Sequence, residues 1–226
     1  TYLEHCHYRS VDGVVIACVN FYDPQVVELV NSDVPVVTID HVFNNRMAVL
    51  SDNVAGLKAL VKQAWACGHR RIAFIHGEKT SVTENRIAGF YQACEELGLE
   101  IPEEYVRDGV YHDAERCAEE TRALLALPQR PTCIIFPDDF SALGGYNALA
   151  EAGQRIPDDI SVMGYDGIYL SRVVNPSLVT YQQNTAALGQ TAADKLIELI
   201  EHPRVTLPEQ IRVSGRLLSG RSVCSL

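Results

Sequence analysis

The chain has 226 residues and a formal net charge of −10, and 47% of its residues are apolar. This length suits one large α/β unit or two small lobes, and it is enough to bury a core. The excess of acidic residues argues against binding of this chain to the phosphate backbone of nucleic acids, which requires clustered Lys and Arg. No apolar run approaches the roughly 20 residues that span a bilayer, and no basic-then-apolar leader opens the sequence. We therefore expect no membrane partner.

The predicted elements alternate between short apolar runs and amphipathic segments. In chain order they are the end of a helix over Thr1–Arg9, strands over Val14–Cys18 and Val36–Ile39, a helix over Asp52–Cys67, a strand over Arg71–Ile75, a helix over Thr83–Leu97, a strand over Cys133–Phe136, a helix over Asp139–Ala152, strands over Ser161–Tyr165 and Leu178–Gln182, and a helix from Asn184 to about Glu201.

The predicted strands are mostly continuous and β-branched, as in parallel strands that are buried on both faces. Three of the helices stop at a glycine, Gly68, Gly98 or Gly153, and Asn184 is a suitable cap for the last. The alternation predicts βαβ units, hence an α/β fold of two doubly wound parallel-sheet lobes. Because the chain reaches its first strand at once, we expect an N-terminal lobe without its beginning.

The cysteines favour a reducing compartment. They are odd in number and form no C-x-x-C pair: Cys6, Cys18, Cys67, Cys94, Cys117, Cys133 and Cys224. At least four lie in apolar stretches, where a free thiol behaves as a small hydrophobe. A disulfide framework is not expected, which favours the cytoplasm.

Polar side chains gather at one predicted edge. Ligands of open parallel sheets collect at the carboxyl ends of the strands. The residues predicted there are Asp40, Asp138, Asp139, Asp166 and Gln183, with Arg86 in the first turn of a helix and Tyr111 in a loop. Fixed acceptors beside one fork-shaped donor suit the paired hydroxyls of a sugar or similar polyol, and an aromatic ring could cover its face.

Each of these residues also has a purely structural interpretation. Asp138 or Asp139 could cap a helix, and Asp166 could bond to loop amides. A cation in the first helical turn opposes the macrodipole by about 0.3–1 kcal/mol, so Arg86 hints at a nearby carboxylate. It is the convergence of these residues that favours a ligand site.

Signatures of catalysis and of cofactor binding do not occur in the sequence. There is no G-x-S-x-G, P-loop or H-E-x-x-H, and no G-x-G-x-x-G opens a helix. His5, Cys6 and His7 are adjacent and point apart, so a metal would need a distant further ligand. We expect no metal, no cofactor and no enzyme, although a glycoside-cleaving enzyme built on the carboxylates remains an alternative that turnover of a sugar would reveal.

The sequence resembles the effector-binding core of the LacI/GalR family of bacterial transcription regulators. The resemblance covers essentially the whole chain and rests on "VDGVVIA" (11–17), "VPVVTID" (34–40), "DNVAG" (52–56), "GHRRIAFIHG" (68–77), "RIAGF" (86–90), "DDFSALGGYNALAEAGQRIPDDISVMGYD" (138–166), "NPSLVTYQQ" (175–183) and a final strand in "GRLLSGRSV" (215–223).

The resemblance implies two lobes with a small molecule clamped between them, as in periplasmic sugar-binding proteins. Residues 1–50 and 184–210 would form the N-terminal lobe, without its first strand, helix and second strand. Residues 51–183 and 211–226 would form the complete C-terminal lobe. It also implies a homodimer that binds operator DNA through an N-terminal helix-turn-helix absent from this chain. The alternative is the solute-binding protein of a sugar ABC transporter, which a leader peptide upstream would indicate.

Residue roles carry over by position. Arg86 matches the family's sugar-hydroxyl arginine, Asp166 its principal effector carboxylate, and Tyr111 an aromatic that stacks on the sugar in some members. Asp138 stands where the family usually has Asn, which implies a changed hydrogen-bond pattern or ligand, and Asp139 matches a mostly structural Asp.

The same resemblance implies three further positions. Asp40 and Gln183 match positions at the edge of the cleft. Val82 replaces a contacting Ser, for which Ser81 or Thr83 could substitute. With Asp40, Asp138 and Asp166 in it, the cleft is rich in acids and would repel a phosphorylated ligand.

Overall fold

The computed structural model describes residues 1–203 and 205–226, and it is an α/β protein. The helices are α1 (Tyr2–Arg9), α2 (Pro24–Asn31), α3 (Asn53–Ala66), α4 (Ser81–Glu96), α5 (Ala114–Leu125), α6 (Ala142–Glu151), α7 (Leu170–Val173) and α8 (Thr185–Glu201). The strands are β1 (Val14–Ile16), β2 (Val36–Ile39), β3 (Met47–Ser51), β4 (Ile72–His76), β5 (Val106–Asp108), β6 (Cys133–Ile135), β7 (Ser161–Asp166), β8 (Val179–Gln182), β9 (Gln210–Val213) and β10 (Arg216–Leu218).

These elements form two compact units. Unit 1 comprises Thr1–Asp52 and Asn184–Val213, and unit 2 comprises Asn53–Gln183 and Ser214–Leu226. The third crossing differs from the predicted one, because the structure places residues 211–213 in unit 1. The reason is that β9 pairs in parallel with β3 along its whole length before the chain leaves the unit.

Unit 1 is built on one parallel sheet with the strand order β1-β2-β3-β9. Buried apolar side chains of α1 and α2, such as Cys6 and Leu29, pack on one side of it. Leu188 and Ala192 of α8 pack with Val37 and Val49 on the other. Helices on both faces make this unit doubly wound, as the continuous apolar strands predicted.

Unit 2 contains a six-stranded sheet with the order β10-β8-β7-β6-β4-β5. All its pairings are parallel except that of β10 with β8, which is antiparallel. Two apolar clusters cover the sheet, one with side chains of α3 and α4 and the other with side chains of α5 and α6. The fold class predicted from the sequence is therefore confirmed.

The strand order of unit 2 creates a switch point. The chain leaves β4 through α4 to reach β5 on one side, and it returns through α5 to β6 on the other side of β4. The loops that follow β4 and β6 therefore diverge at the carboxyl ends of adjacent strands. Such a point in an open parallel sheet is the usual place of a ligand crevice.

All six predicted strands occur, three of them shortened, β1 by two residues and β6 and β8 by one each. The first ends at Ile16, two residues early, and Cys18 adopts a left-handed φ of 55°. Strands β3, β5 and β9 and helices α2, α5 and α7 were not predicted. β5 and β9 are short and carry polar residues, so they lack the continuous apolar pattern.

Two predicted helix starts were wrong. The Thr80 side chain accepts a hydrogen bond from the Thr83 amide, so α4 begins at Ser81 and Arg86 lies in its second turn, not its first. The prediction of a carboxylate near Arg86 from an unfavourable interaction with the helix macrodipole therefore no longer applies. Helix α6 begins at Ala142 because a turn that follows Asp138 intervenes.

The predicted cap of the last helix is confirmed. The Asn184 side chain accepts from the Ala187 amide at 3.1 Å, and α8 runs to Glu201. In the part of the chain that the structure describes, no helix is both long and apolar enough to cross a bilayer.

Candidate functional site

Arg86 lies at the switch point of unit 2 and is almost fully buried. Its Nε donates to Asn53 Oδ1 at 2.9 Å, and its Nη1 donates to the Pro137 carbonyl oxygen at 2.7 Å. Asn53 is the first residue of α3, and Pro137 follows β6. The guanidinium is thus fixed from two sides, since a helix start and a strand end both accept from it.

Two tyrosine rings flank this guanidinium. Its central carbon lies 3.6 Å from the centroid of the Tyr165 ring and 5.5 Å from that of Tyr111. Both separations are within the range of cation–π attraction. The Tyr165 hydroxyl in turn donates to Asn53 Oδ1 at 3.4 Å. Planar partners therefore restrict the rotation of Arg86 in its buried setting.

Asp166 ends β7 beside Arg86. Its Oδ1 accepts from Gln183 Nε2 at 2.6 Å and lies 3.8 Å from Arg86 Nη2. Burial raises the pKa of Asp166 above its usual value, while the charge of Arg86 and the bond from Gln183 lower it. A side chain that is 20% exposed and only loosely paired with its cation has room to accept another donor, such as a ligand hydroxyl.

Tyr111 is held in the loop that follows β5. Its amide donates to Glu78 Oε2 at 2.8 Å, and its hydroxyl lies 2.9 Å from Thr83 Oγ1. Its ring packs against Gly77, where a Cβ atom would overlap it. Burial raises the pKa of Tyr111, so the phenol is neutral at pH 7 and its ring lies where it could cover the face of a ligand.

Asp138 is placed in the same region, but its oxygens are occupied. The carboxylate accepts from the Ser141 amide at 2.7 Å, the Ser141 hydroxyl at 2.8 Å and the His112 amide at 2.9 Å. The His112 Nδ1 lies 3.6 Å from it. Asp138 thus stabilises the turn that precedes α6 but does not cap the helix, whose N-cap position is Ser141 without a side-chain cap bond. It also ties the loop that follows β5 to the turn that follows β6.

Asp139 has a structural environment. Its oxygens accept from the Thr180 hydroxyl at 2.5 Å and from the Ile168 amide at 2.8 Å. Burial raises the pKa of Asp139 to about 7. This carboxyl group joins β8 and the segment that follows β7 to the end of β6.

Asp40 lies in unit 1, at the end of β2. It has a left-handed φ of 59°, and its two oxygens accept from the Ser51 amide at 2.6 Å and the Ser51 hydroxyl at 3.1 Å. Next to it in the chain, His41 stacks on Phe21 with the ring centroids 4.3 Å apart. This aromatic pair follows the ends of β1 and β2 and was not predicted.

Other residues of the site were also missed. Asn53 and Tyr165 hold Arg86 but adjoin it only in three dimensions; the one usable signal was the "DN" dipeptide at a helix start. The Thr83 hydroxyl, which could substitute for the serine that Val82 replaces, already donates to the Glu78 carbonyl at 2.6 Å. Among the described residues, no group of three or more His, Cys, Asp or Glu side chains could hold a metal ion.

Two doubly wound α/β units, one of them with a guanidinium and a carboxylate side by side at its switch point, define a binding protein of the periplasmic-binding-protein-like class. Comparison with known proteins agrees, because residues 61–223 match the family model of the periplasmic binding protein-like domain. The chain belongs to the LacI/GalR family of transcription regulators and corresponds to their effector-binding core.

The similar curated proteins are repressors. The chain is 34% identical over 226 residues to the HTH-type transcriptional repressor PurR of Mannheimia succiniciproducens, a match that covers 98% of the chain and 67% of the relative. It is 32% identical over 204 residues to the ribose operon repressor of Haemophilus influenzae, covering 89% of the chain and 61% of that protein. These relatives favour a regulator over a transporter-linked binding protein.

Solved structures support the fold. A LacI family regulator from Enterococcus faecium with bound ribose has a TM-score of 0.86 and 27% identity, and the match covers 100% of this chain and 84% of that one. A LacI regulator from a Rhodococcus species has a TM-score of 0.88 at 24% identity, covering 99% and 82% of the two chains.

Proposed function

We propose that Arg86, Asp166, Gln183 and Tyr111 bind a neutral sugar or similar polyol. The observation that carries the proposal is the fixed Arg86 guanidinium, whose Nη2 lies 3.8 Å from Asp166 Oδ1. A rigid donor beside a partly open acceptor matches neighbouring hydroxyl groups, each of which both donates and accepts. Tyr111 supplies the aromatic face.

The charge of the site favours an uncharged ligand. A phosphate here would meet the carboxyl group of Asp166 as well as the guanidinium of Arg86, which lie 3.8 Å apart, and an ionised Asp166 would repel it. Ribose is the first candidate, because it is bound in the structure from Enterococcus faecium and appears in the name of the ribose operon repressor.

Asp138 and Asp40 are the two predicted ligand residues whose oxygens already accept hydrogen bonds from this chain. Asp138 adjoins the loop that carries Tyr111, and Asp40 ends a strand of unit 1. We expect Asp138 to influence affinity through the loop that it holds, and Asp40 stays a predicted ligand residue of unit 1.

Binding of the effector would regulate how tightly the protein binds operator DNA, as the name of the HTH-type repressor relatives suggests. An effector that binds one conformation of the protein better than another shifts the equilibrium between them, and only by that difference in affinity. We propose that the chain acts in this way in the cytoplasm, as a sensor and not as an enzyme.

A homodimer is part of this proposal. Three exposed apolar side chains lie in and next to α7, Ile168, Tyr169 and Val173. Phe140 is also exposed, and its chain neighbour Asp139 accepts from the Ile168 amide. An exposed apolar patch of this kind is typical of a contact with another protein, and a second copy of this chain is the partner that we propose.

A thermal-shift panel tests the sugar proposal. D-ribose, other neutral pentoses and hexoses, D-ribose 5-phosphate and free nucleobases are added at millimolar concentration. A neutral sugar should raise the melting temperature, since a ligand at 100 times its Kd stabilises by about 2.7 kcal/mol. A shift with the phosphate or a nucleobase alone, or turnover of the sugar, would contradict the proposal.

A further inference from the structure

His112 is an exposed histidine beside the proposed effector site. It follows Tyr111 in the loop after β5, its backbone has a left-handed φ of 56°, and its side chain is 71% exposed. Its amide donates to Asp138 Oδ2 at 2.9 Å, and its ring Nδ1 lies 3.6 Å from Asp138 Oδ1. The conformation of this residue is therefore held by a buried carboxylate.

The same contacts leave Asp138 little capacity for a ligand. A carboxylate oxygen accepts about two hydrogen bonds. Oδ1 already faces the Ser141 amide and the His112 ring, and Oδ2 faces the His112 amide and the Ser141 hydroxyl. Asp138 is also only 1% exposed. At this point of the site, the group exposed to solvent is therefore the imidazole of His112 and not the carboxylate of Asp138.

His112 also adjoins the rest of the site. Burial raises the pKa of Asp166, the carboxylate paired with Arg86, and the smallest of the opposing influences on it is the charge of His112. Its chain neighbour Tyr111 has its ring 5.5 Å from the guanidinium. Within residues 1–203 and 205–226, the His112 ring has no polar contact at hydrogen-bonding or ion-pair distance other than Asp138. Its Nε2 is thus available to a molecule bound next to Asp166.

On the basis of the proposed function, we propose that His112 is a ligand-contacting residue that helps to set specificity. Its imidazole hydrogen-bonds a hydroxyl of the effector next to the hydroxyl bound by Asp166. Asp138 is a positioning residue that acts through His112. An imidazole nitrogen either donates or accepts, so this contact selects a ligand with a hydroxyl at that position over its deoxy counterpart.

Calorimetric titration tests the contact with D-ribose and the deoxy sugars 2-deoxy-D-ribose and 5-deoxy-D-ribose. His112→Ala should weaken D-ribose binding roughly three- to tenfold, the equivalent of one hydrogen bond. It should also narrow the preference for ribose over one of the deoxy sugars. His112→Asn should retain most of the affinity, since Asn tolerates the left-handed backbone and keeps a donor and an acceptor.

The controls separate this proposal from the general function. His7→Ala removes another exposed histidine, on α1, and should leave binding unchanged. If D-ribose binding is abolished in Arg86→Ala but unchanged in His112→Ala, the His112 contact is wrong and the site stands. If D-ribose does not bind the parent protein, both the ligand proposal and the His112 contact fall.

A double-mutant cycle tests the role of Asp138. Asp138→Asn replaces one acceptor oxygen by an NH2 group, which should release the His112 loop and weaken D-ribose binding. In the double variant with His112→Ala, the loss of affinity should be no greater than in the more affected single variant, because both changes remove the same contact. Additive losses would show that Asp138 does not act through His112.

Discussion

Arg86 and Asp166 illustrate what the sequence reveals about single residues. Their place at the carboxyl edge of unit 2 was predicted from strand ends. The partners of Arg86 were not, because Asn53 lies 33 residues away in the chain and no local pattern links the two. Likewise, Asp138 was predicted as a ligand group, but its contacts with Ser141 and His112 depend on the folded loop.

Removing either charge of the central pair should weaken sugar binding. We expect Arg86→Ala and Asp166→Ala each to reduce affinity by more than tenfold, about 1.4 kcal/mol, because a buried partner is left unpaired. Isothermal titration with the best sugar measures this. Arg122→Ala, which breaks an exposed pair with Glu151 on the surface, is the matched control and should bind normally. Unchanged affinity in both site variants would refute the assignment.

Asp139 should make the stability of the protein depend on pH. Its pKa is raised to about 7 in the folded state, so between pH 4 and 7 the folded chain binds more protons than the unfolded one. The contribution of this group is complete below pH 4 and is lost as the pH rises to 7, at up to about 1.4 kcal/mol per pH unit.

Asp139→Asn removes that titration and keeps the size of the side chain. Urea unfolding at pH 5.5 and 7.5 should show that the parent loses more stability between the two values than the variant does. An equal loss in both proteins would mean that Asp139 is not responsible.

At the scale of elements, the sequence predicted most strands but missed the buried strand β3 and the edge strands β5 and β9. β2, β7 and β8 are runs of apolar residues that pack on both faces, so their pattern is continuous. In β9 the burial alternates, and it contains polar Gln210 and Arg212. Its pairing with β3 depends on a partner far away in the chain, which no local signal reveals.

The contact between α3 and α4 positions Arg86 and should be sensitive to volume. A Cβ atom at Gly89 of α4 would overlap the Val54 carbonyl oxygen of α3. Gly89→Ala should therefore push the helices apart, lower the free energy of unfolding by about 1–3 kcal/mol and weaken sugar binding by displacing Arg86 from Asn53.

Gly189→Ala is the matched control for this substitution. Gly189 lies in α8 with open space around its Cβ position, so alanine there should stabilise the helix by about 0.5–1 kcal/mol. Denaturant unfolding of both variants measures the difference. A Gly89→Ala protein as stable as the parent would show that the two helices can move apart freely.

At the scale of the whole molecule, the two units are each made from separate stretches of chain. The family resemblance predicted two lobes, whereas composition and length were compatible with either one unit or two lobes. Periodicity alone could not place the crossings, because a strand that precedes a crossing looks like any other strand. The third crossing was predicted near Ile211, within what proved to be β9, and the structure places it after Val213.

Assembly is testable at this scale. Tyr169 is 77% exposed next to α7, and Tyr169→Glu would bring a charge into the proposed dimer contact. We expect the parent to be a dimer and this variant a monomer by light scattering after gel filtration, since a desolvated unpaired charge opposes association. Tyr8→Glu, at another exposed tyrosine in unit 1, should remain dimeric. A dimeric Tyr169→Glu protein would place the interface elsewhere.

β9 is synthesised long after the strand with which it pairs, and this order has a consequence for folding on the ribosome. Unit 1 obtains its outermost strand, Gln210–Val213, only after the ribosome has made the long first stretch of unit 2. Until then one edge of β3 has unpaired backbone N–H and C=O groups, which can pair with a strand of another chain and cause nascent chains to aggregate. A truncation at Gln183 would make that hazard permanent. Anyone who wants unit 1 by itself would have to splice its two stretches together by permutation.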